Sequence, residues 1–293
     1  MRKRLLSILL ALAMVICTAP LAVFADEVNN DDPTAGVTND TNTIEGEDPA
    51  TNNNNALGGS LTNNSTTPSG DTANNTNTLG GALTNSNNAS ETSVVINADN
   101  FPDANFLAFV KDYDTNKDDK LSSTELAVVT SMDCSSQSIA DLTGIGYFTE
   151  LTTLDCRAND LKELDLSKNK KLSELNCSQN ELTSLDLSNN TELTELYCQL
   201  NYDDDGDYTL TSLDVSKNTK LEVLHCYSNA LTTLDVSQNT ALKELQCTDN
   251  KLTKLDVSNN TALTELCCQN NKLTSLDVSK NTKLTKLFAI IMP

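Results

Sequence analysis

Eight cysteines follow Cys17, and their spacing decides which chemistry is open to them. Cys134, Cys156, Cys177, Cys198, Cys226, Cys247 and Cys268 recur once per repeating unit, and Cys267 stands apart from that rhythm. An even number of thiols invites a disulfide framework wherever a chain is exported. One thiol at each equivalent inward position instead describes a column of small apolar side chains, the role a buried cysteine fills well. A bond between in-register parallel strands, spaced about 4.8 Å, is within reach but strained. Zinc needs clustered ligands, not a line of them. The expectation is a ladder of buried, reduced thiols, with Cys267 facing outward as the one thiol free to react or crosslink.

The elements that position this ladder are written in a 21-residue unit, L-x-x-L-x-C-x-x-N-x-L-x-x-L-D-(L/V)-S-x-N-x-x. Its register runs through Leu151, Leu172, Leu193, Leu221, Leu242, Leu263 and Leu284, with one step of 28 after Leu193. Side chains alternate along an extended segment, so Leu154 and Cys156 share one side. Asn159 and its equivalents then fall where the chain turns, where an inward amide can satisfy turn backbone. The second half repeats the logic: Leu164-Asp165-Leu166 before Asn169, Leu213-Asp214-Val215 before Asn218. A unit this short has no room for a helix and two turns, so short parallel strands are expected on both sides of each coil. No unit covers its own leucines, and stability needs neighbours.

Over Met132 to Ala289 this pattern resembles bacterial leucine-rich repeat proteins of the nested 21-residue IRREKO type. The resemblance implies a mainly β solenoid, residues 131–293, whose last coil is incomplete.

Ahead of it, 94–130 reads as a small helical cap. Phe106, Phe109, Val110 and Tyr113 have helical spacing, Pro102 suits a first turn, and a second helical stretch runs from Leu126 to Val129. Between them, Asp114 to Glu125 resembles an EF-hand loop. That resemblance implies calcium held by Asp114, Asn116, Asp118, the Lys120 carbonyl, Ser122 and Glu125. Asp119 stands where such loops use glycine, and aspartate tolerates the positive φ at some cost. A cap that keeps only the motif's shape is the other reading. Internalins carry a similar cap before their coils, which implies that this unit shields the first coil's apolar end.

Outward positions break the regularity. On the Leu-x-Cys side the middle column reads Asp155, Asn176, Tyr197, His225, Gln246, Cys267, Phe288, with Glu174, Glu195, Glu244 and Glu265 on one flank and Arg157, Gln199 and Tyr227 on the other. Variable side chains on a rigid ladder are how solenoids present a binding face. Tyr197, Gln199, His225 and Tyr227 are the candidate ligand contacts, joined by Asp203, Asp205 and Asp207 of the seven-residue insertion after Asn201. On the opposite side, Asp165 and its equivalents stack with a row of serines. Their repulsion needs compensation, by hydrogen bonds to that row or to loop amides, or by bound cations.

Composition narrows the function. Met1–Arg4, an apolar run from Leu5 to Ile16 and Val23-Phe24-Ala25 form an export leader, expected to end at 25. Residues 26–93 hold ten acids and neither lysine nor arginine, which reads as a disordered Asn/Thr/Ser-rich spacer. The net charge of −21 divides into +3 over the leader, −10 over the spacer and −14 over the rest. Such a chain repels nucleic acid and anionic membranes, and no membrane insertion is expected after leader cleavage. With one histidine and carboxylates in ladders rather than a cleft pair, no enzymatic site is expected. The expectation is a secreted or bacterial cell-surface recognition module binding a protein or glycan. The alternative is a rigid spacer arm of a larger surface protein.

Overall fold

The computed structural model describes residues 93–290. The leader and nearly all of the spacer lie outside the described residues.

Eight three-residue strands form one parallel sheet in sequential order: β3 (Ser131–Asp133), β4 (Thr153–Asp155), β5 (Glu174–Asn176), β6 (Glu195–Tyr197), β7 (Val223–His225), β8 (Glu244–Gln246), β9 (Glu265–Cys267) and β10 (Lys286–Phe288). Pairing is in register, Leu154 beside Leu175 and Leu175 beside Leu196, so each residue of the repeat stacks on its own equivalent. The central leucine of β4 to β9 and the cysteine two residues on point inward. From Leu154 through Leu266 they have no exposed surface. Each such leucine removed from water contributes roughly 2 kcal/mol, but only because a neighbouring coil covers it.

Strands form on one side only, which corrects the expectation of strands on both. On the other side Asp165 Oδ1 accepts the Ser167 N–H at 2.9 Å, and the Asn169 N–H returns to the Leu166 carbonyl at 3.0 Å. The chain closes a turn within its own coil there, and too few extended residues remain to pair with the next. The coils are joined instead by the asparagine itself, whose Nδ2 donates to the Ile145 and Phe148 carbonyls at 3.0 Å. Asn190, Asn218, Asn239, Asn260 and Asn281 repeat the arrangement, all buried.

The first asparagine row works harder. Asn180 Nδ2 donates to the carbonyls of Cys156 and Cys177, and its Oδ1 accepts the Leu161 N–H. The residue just before each of these asparagines takes a left-handed backbone: Ala158, Gln179, Leu200, Ser228, Asp249 and Asn270, at φ of 52 to 61°. None is glycine, so every coil tolerates this cost and recovers it through the buried asparagine.

The N-terminal unit begins with β1 (Val94–Val95), antiparallel to β2 (Lys120–Leu121). Helix α1 (Ala104–Val110) starts at Asp103, whose Oδ1 caps the Asn105 and Phe106 N–H groups. Pro102 therefore precedes the cap residue rather than sitting in the first turn. Helix α2 (Ser123–Ala127) opens with a reciprocal cap between Ser122 and Glu125, starting three residues earlier than the apolar spacing suggested. Phe101, Phe106 and Val110 are fully buried, and Tyr113 meets Phe148 of the first coil with ring centroids 5.5 Å apart. Asp103 Oδ2 accepting the Ala140 N–H and Asn105 Nδ2 donating to the Ser138 carbonyl fasten the unit to that coil. At the far end Leu276, Val278 and Leu284 are only partly buried, and Leu287 and Phe288 are exposed.

Candidate functional site

The outward side of the sheet gathers the side chains that differ from coil to coil. In-register pairing puts Tyr197 on β6 beside His225 on β7, with ring centroids 4.9 Å apart and planes at 90°. Tyr227 lies 6.3 Å from His225 and shares a side-chain hydrogen bond with Gln199. The four residues expected to form a contact patch are thus one contiguous group, half-buried against each other rather than free-standing.

A carboxylate column runs beside them. The Tyr197 hydroxyl donates to Glu195 Oε2 at 2.7 Å, and burial with that carboxylate pushes its ionisation far above the ordinary tyrosine range. His225 Nε2 lies 2.7 Å from Glu244 Oε1, which also accepts from Gln246 Nε2 at 2.8 Å. The bond to His225 holds the Glu244 carboxyl below its usual value. Lys286 Nζ donates to Glu265 Oε2 at 2.8 Å. Sequence reasoning placed these glutamates only as flanks. The missed signal is arithmetic: in a 21-residue register, positions 19 apart are diagonal neighbours on adjacent strands, as His225 and Glu244 are.

The insertion does not join this group. Tyr202 and Tyr208 bridge antiparallel, and Asp203 Oδ1 accepts the Asp205 and Asp207 N–H groups at 3.1 and 2.9 Å. The loop lies at the asparagine-turn edge, where Tyr202 and Asp203 line a 140 Å³ cavity with Ala158, Gln179 and Glu181. Neither Tyr197, His225 nor Tyr227 borders it.

Cys267 is corrected more sharply. It points outward as alternation requires, yet it is only 3% exposed. In-register Gln246 and Phe288 flank it on either side, and Glu265 Oε1 lies 3.8 Å from its sulfur. A small side chain between two larger ones is covered by them. All eight described cysteines are buried and none is in a disulfide. Burial pushes Cys134 and Cys177 up to about 12 and Cys156, Cys198 and Cys226 well above the usual thiol value, so the ladder is held as neutral thiols.

In the cap loop, Asp119 has φ of 57°, the conformation a glycine would supply. The loop's carboxylates are turned onto its own backbone. Asp114 accepts the Lys117, Asp118 and Asp119 N–H groups. Glu125 Oε1 accepts from the Thr115 N–H and hydroxyl, and Oε2 from the Ser122 N–H and hydroxyl. The bonds from Ser122 and Thr115 hold the Glu125 carboxyl at about 2. Asn116 and Asp118 cap the Asp118 and Lys120 N–H groups in turn. Among the described residues, no three His, Cys, Asp or Glu side chains converge as a metal-ligand group. On the opposite side of the solenoid each aspartate accepts the N–H of the serine two residues on, at 2.8–2.9 Å, which holds the column below the usual carboxylate range.

Comparison with known proteins places the chain. A model described as leucine-rich repeat matches residues 269–286. Internalin J of Listeria monocytogenes serotype 4b (strain F2365) is 47% identical over 70 residues, 24% of this chain and 8% of that protein. Internalin J of serovar 1/2a (strain ATCC BAA-679 / EGD-e) is 39% identical over 70 residues. The match thus spans 8% of the length of these curated relatives. Among solved structures, a functional domain of InlJ from L. monocytogenes that includes a cysteine ladder is 34% identical, with TM-score 0.39, covering 67% of this chain and 56% of that one. Internalin C2 of L. monocytogenes strain 4b F2365 is 20% identical, with TM-score 0.49, covering 69% and 98%.

Proposed function

From a chain that is a leucine-rich repeat solenoid with a layout similar to internalins, we propose a non-enzymatic recognition module acting at or beyond the bacterial cell surface. It binds a protein or glycan through the outward side of the sheet. The observation that carries this reading is the contrast between repeated and unrepeated positions. Inward residues are nearly the same in coil after coil, while the outward Tyr197, His225 and Tyr227 differ from their equivalents and pack into one patch. Tyrosine in such a patch offers large contact area at low entropic cost. The rival class, a rigid spacer, predicts no consequence for those side chains.

Arrays of extracellular proteins and of glycans, probed with the labelled full chain, separate the two. Binding to an arrayed species that disappears in the Tyr197→Ala/Tyr227→Ala double variant supports recognition. Binding that is absent, or unchanged in that variant, supports the spacer.

Calcium at the cap loop is proposed on the donor spacing of Asp114 to Glu125 and the left-handed Asp119. The cost is visible: Glu125 must give up its bonds to Thr115 and Ser122. Melting curves with and without calcium should separate in the wild type and coincide in Glu125→Ala. Coincident wild-type curves remove calcium from the description.

A further inference from the structure

A 460 Å³ cavity opens where the cap meets the first coils, on the Asp165 side of the solenoid. That volume is in the range of small-ligand sites. Neither Tyr197 nor Tyr227 borders it. The space exists because the chain has glycine there: Gly144 and Gly146 give it two stretches of wall without side chains. A Cβ at Gly146 would meet only the Lys168 stem, at 3.2 Å.

The floor is apolar, made by the buried Leu142, Ile145 and Leu164. One wall is Tyr147, at the end of the short helical turn Ile145–Tyr147 and 39% exposed. Its hydroxyl donates to Asn100 Oδ1 at 2.9 Å, and the Phe101 ring lies 5.8 Å away. The ring is therefore fixed before anything binds, and it leaves apolar surface in the cavity. The rim is mixed. Asp141 accepts the Thr143 N–H at 2.7 Å and Asp165 the Ser167 N–H at 2.9 Å, so each carboxylate is aimed by its own turn and has lone pairs to spare. Lys168 has the opposite role, a donor without an acceptor, on a stem that lies over Gly146.

These groups together select a ligand class. Four carboxylates against one lysine repel an anion. Lys168 in the same rim counts against a cation. An uncharged ligand that both donates and accepts uses the whole rim, and hydroxyl groups do both. Tyr147 and the floor ask for an apolar face on that same ligand. A saccharide ring has both, with hydroxyls around its edge and C–H groups on its face.

We propose that this seam cavity binds an uncharged saccharide unit, its C–H face on Tyr147 and its hydroxyls shared among Asp141, Asp165 and Lys168. It is a second site, separate from the sheet face, and it stands whether or not that face binds a partner.

The test titrates the full chain with cellotriose, maltotriose and chitotriose, and with putrescine and glucuronate as charged comparisons. At least one trisaccharide should shift the Tyr147 ring signals saturably in NMR, and neither charged probe should. Saturation transfer to that trisaccharide then reads the variants. Gly146→Leu puts a side chain into the cavity against nothing stiffer than the Lys168 stem, and should weaken binding by about tenfold. Tyr147→Phe keeps the ring and should keep the binding; Tyr147→Ala should lose it. No shift with any of the three sugars, equal shifts with putrescine, or a full response in Gly146→Leu would overturn the site. A response kept in Gly146→Leu but lost in Tyr197→Ala/Tyr227→Ala would move the sugar to the sheet face, so the seam site would fail while recognition there gains its ligand.

Discussion

Asp119 and Gln179 hold a left-handed backbone that only glycine adopts without steric cost, at φ of 57° and 56°. The conformation costs an ordinary residue about 1–2 kcal/mol, and glycine gives back part of the gain in lost chain entropy. Gln179→Gly is therefore expected to raise stability by about 0.5 kcal/mol in urea titration, where a left-handed site would be the exception to glycine's usual penalty. Glu125 makes a second residue-scale prediction. Its folded value, about 2, lies below the ordinary 4.5. Its contribution is complete above the ordinary value and is lost as pH falls from there through the folded value. Melting temperature should drop more steeply between those limits in the wild type than in Glu125→Gln; parallel profiles would contradict the role of its hydrogen bonds from Thr115 and Ser122. The loop's donor spacing was readable in the chain, and so was the left-handed turn at Asp119. The turning of its carboxylates onto Thr115 and Ser122 was not, because a linear pattern says which oxygens are available but not which N–H groups reach them first.

The coil and the cap succeed or fail as elements. Gly144 has φ of 104°, and a Cβ there would lie 2.4 Å from the Phe101 ring and 2.6 Å from the Asn100 carbonyl. Gly144→Ala should cost about 2 kcal/mol or more and loosen the cap from the first coil. Hydrogen exchange should then rise across α1 before it rises in β5 to β9; uniform exchange would mean the cap and coils do not share this joint. Most of the coil was legible because its period is strict: Leu154 and Cys156 inward, Asn159 and Asn169 in the turns. The second side was misread because Leu164-Asp165-Leu166 matches a strand in alternation, while Asp165 spends its carboxylate on Ser167 and the chain turns at Asn169. Cys267 shows a second limit. Parity tells which way a side chain points, but its cover comes from Gln246 and Phe288 in other coils.

At the largest scale, the coils are a row of neutral thiols and leucines closed by polar turns, with the outward sheet residues varying from coil to coil. Burial raises the ladder cysteines above the 9.0 of an exposed thiol. Above that pH the unfolded chain releases protons that the folded chain keeps, so stability is full below it and declines as pH rises, by about 1.4 kcal/mol per thiol per pH unit. The urea midpoint should fall steeply above pH 9 and less steeply in Cys177→Ala/Cys198→Ala. A thiol reagent should leave all eight described cysteines untouched in the native protein, Cys267 included. The patch around Tyr197, His225 and Tyr227 could be found in the chain because those residues break the repeat. Its glutamates could not be weighed until the register showed which of them face a cation. The most direct measurement compares two double variants on the same protein and glycan arrays: Tyr197→Ala/Tyr227→Ala on the sheet face and Asp165→Ala/Asp235→Ala on the opposite side. Recognition through the sheet face predicts that the first loses the wild-type ligand and the second keeps it. Retention by both, or loss by both, would contradict it.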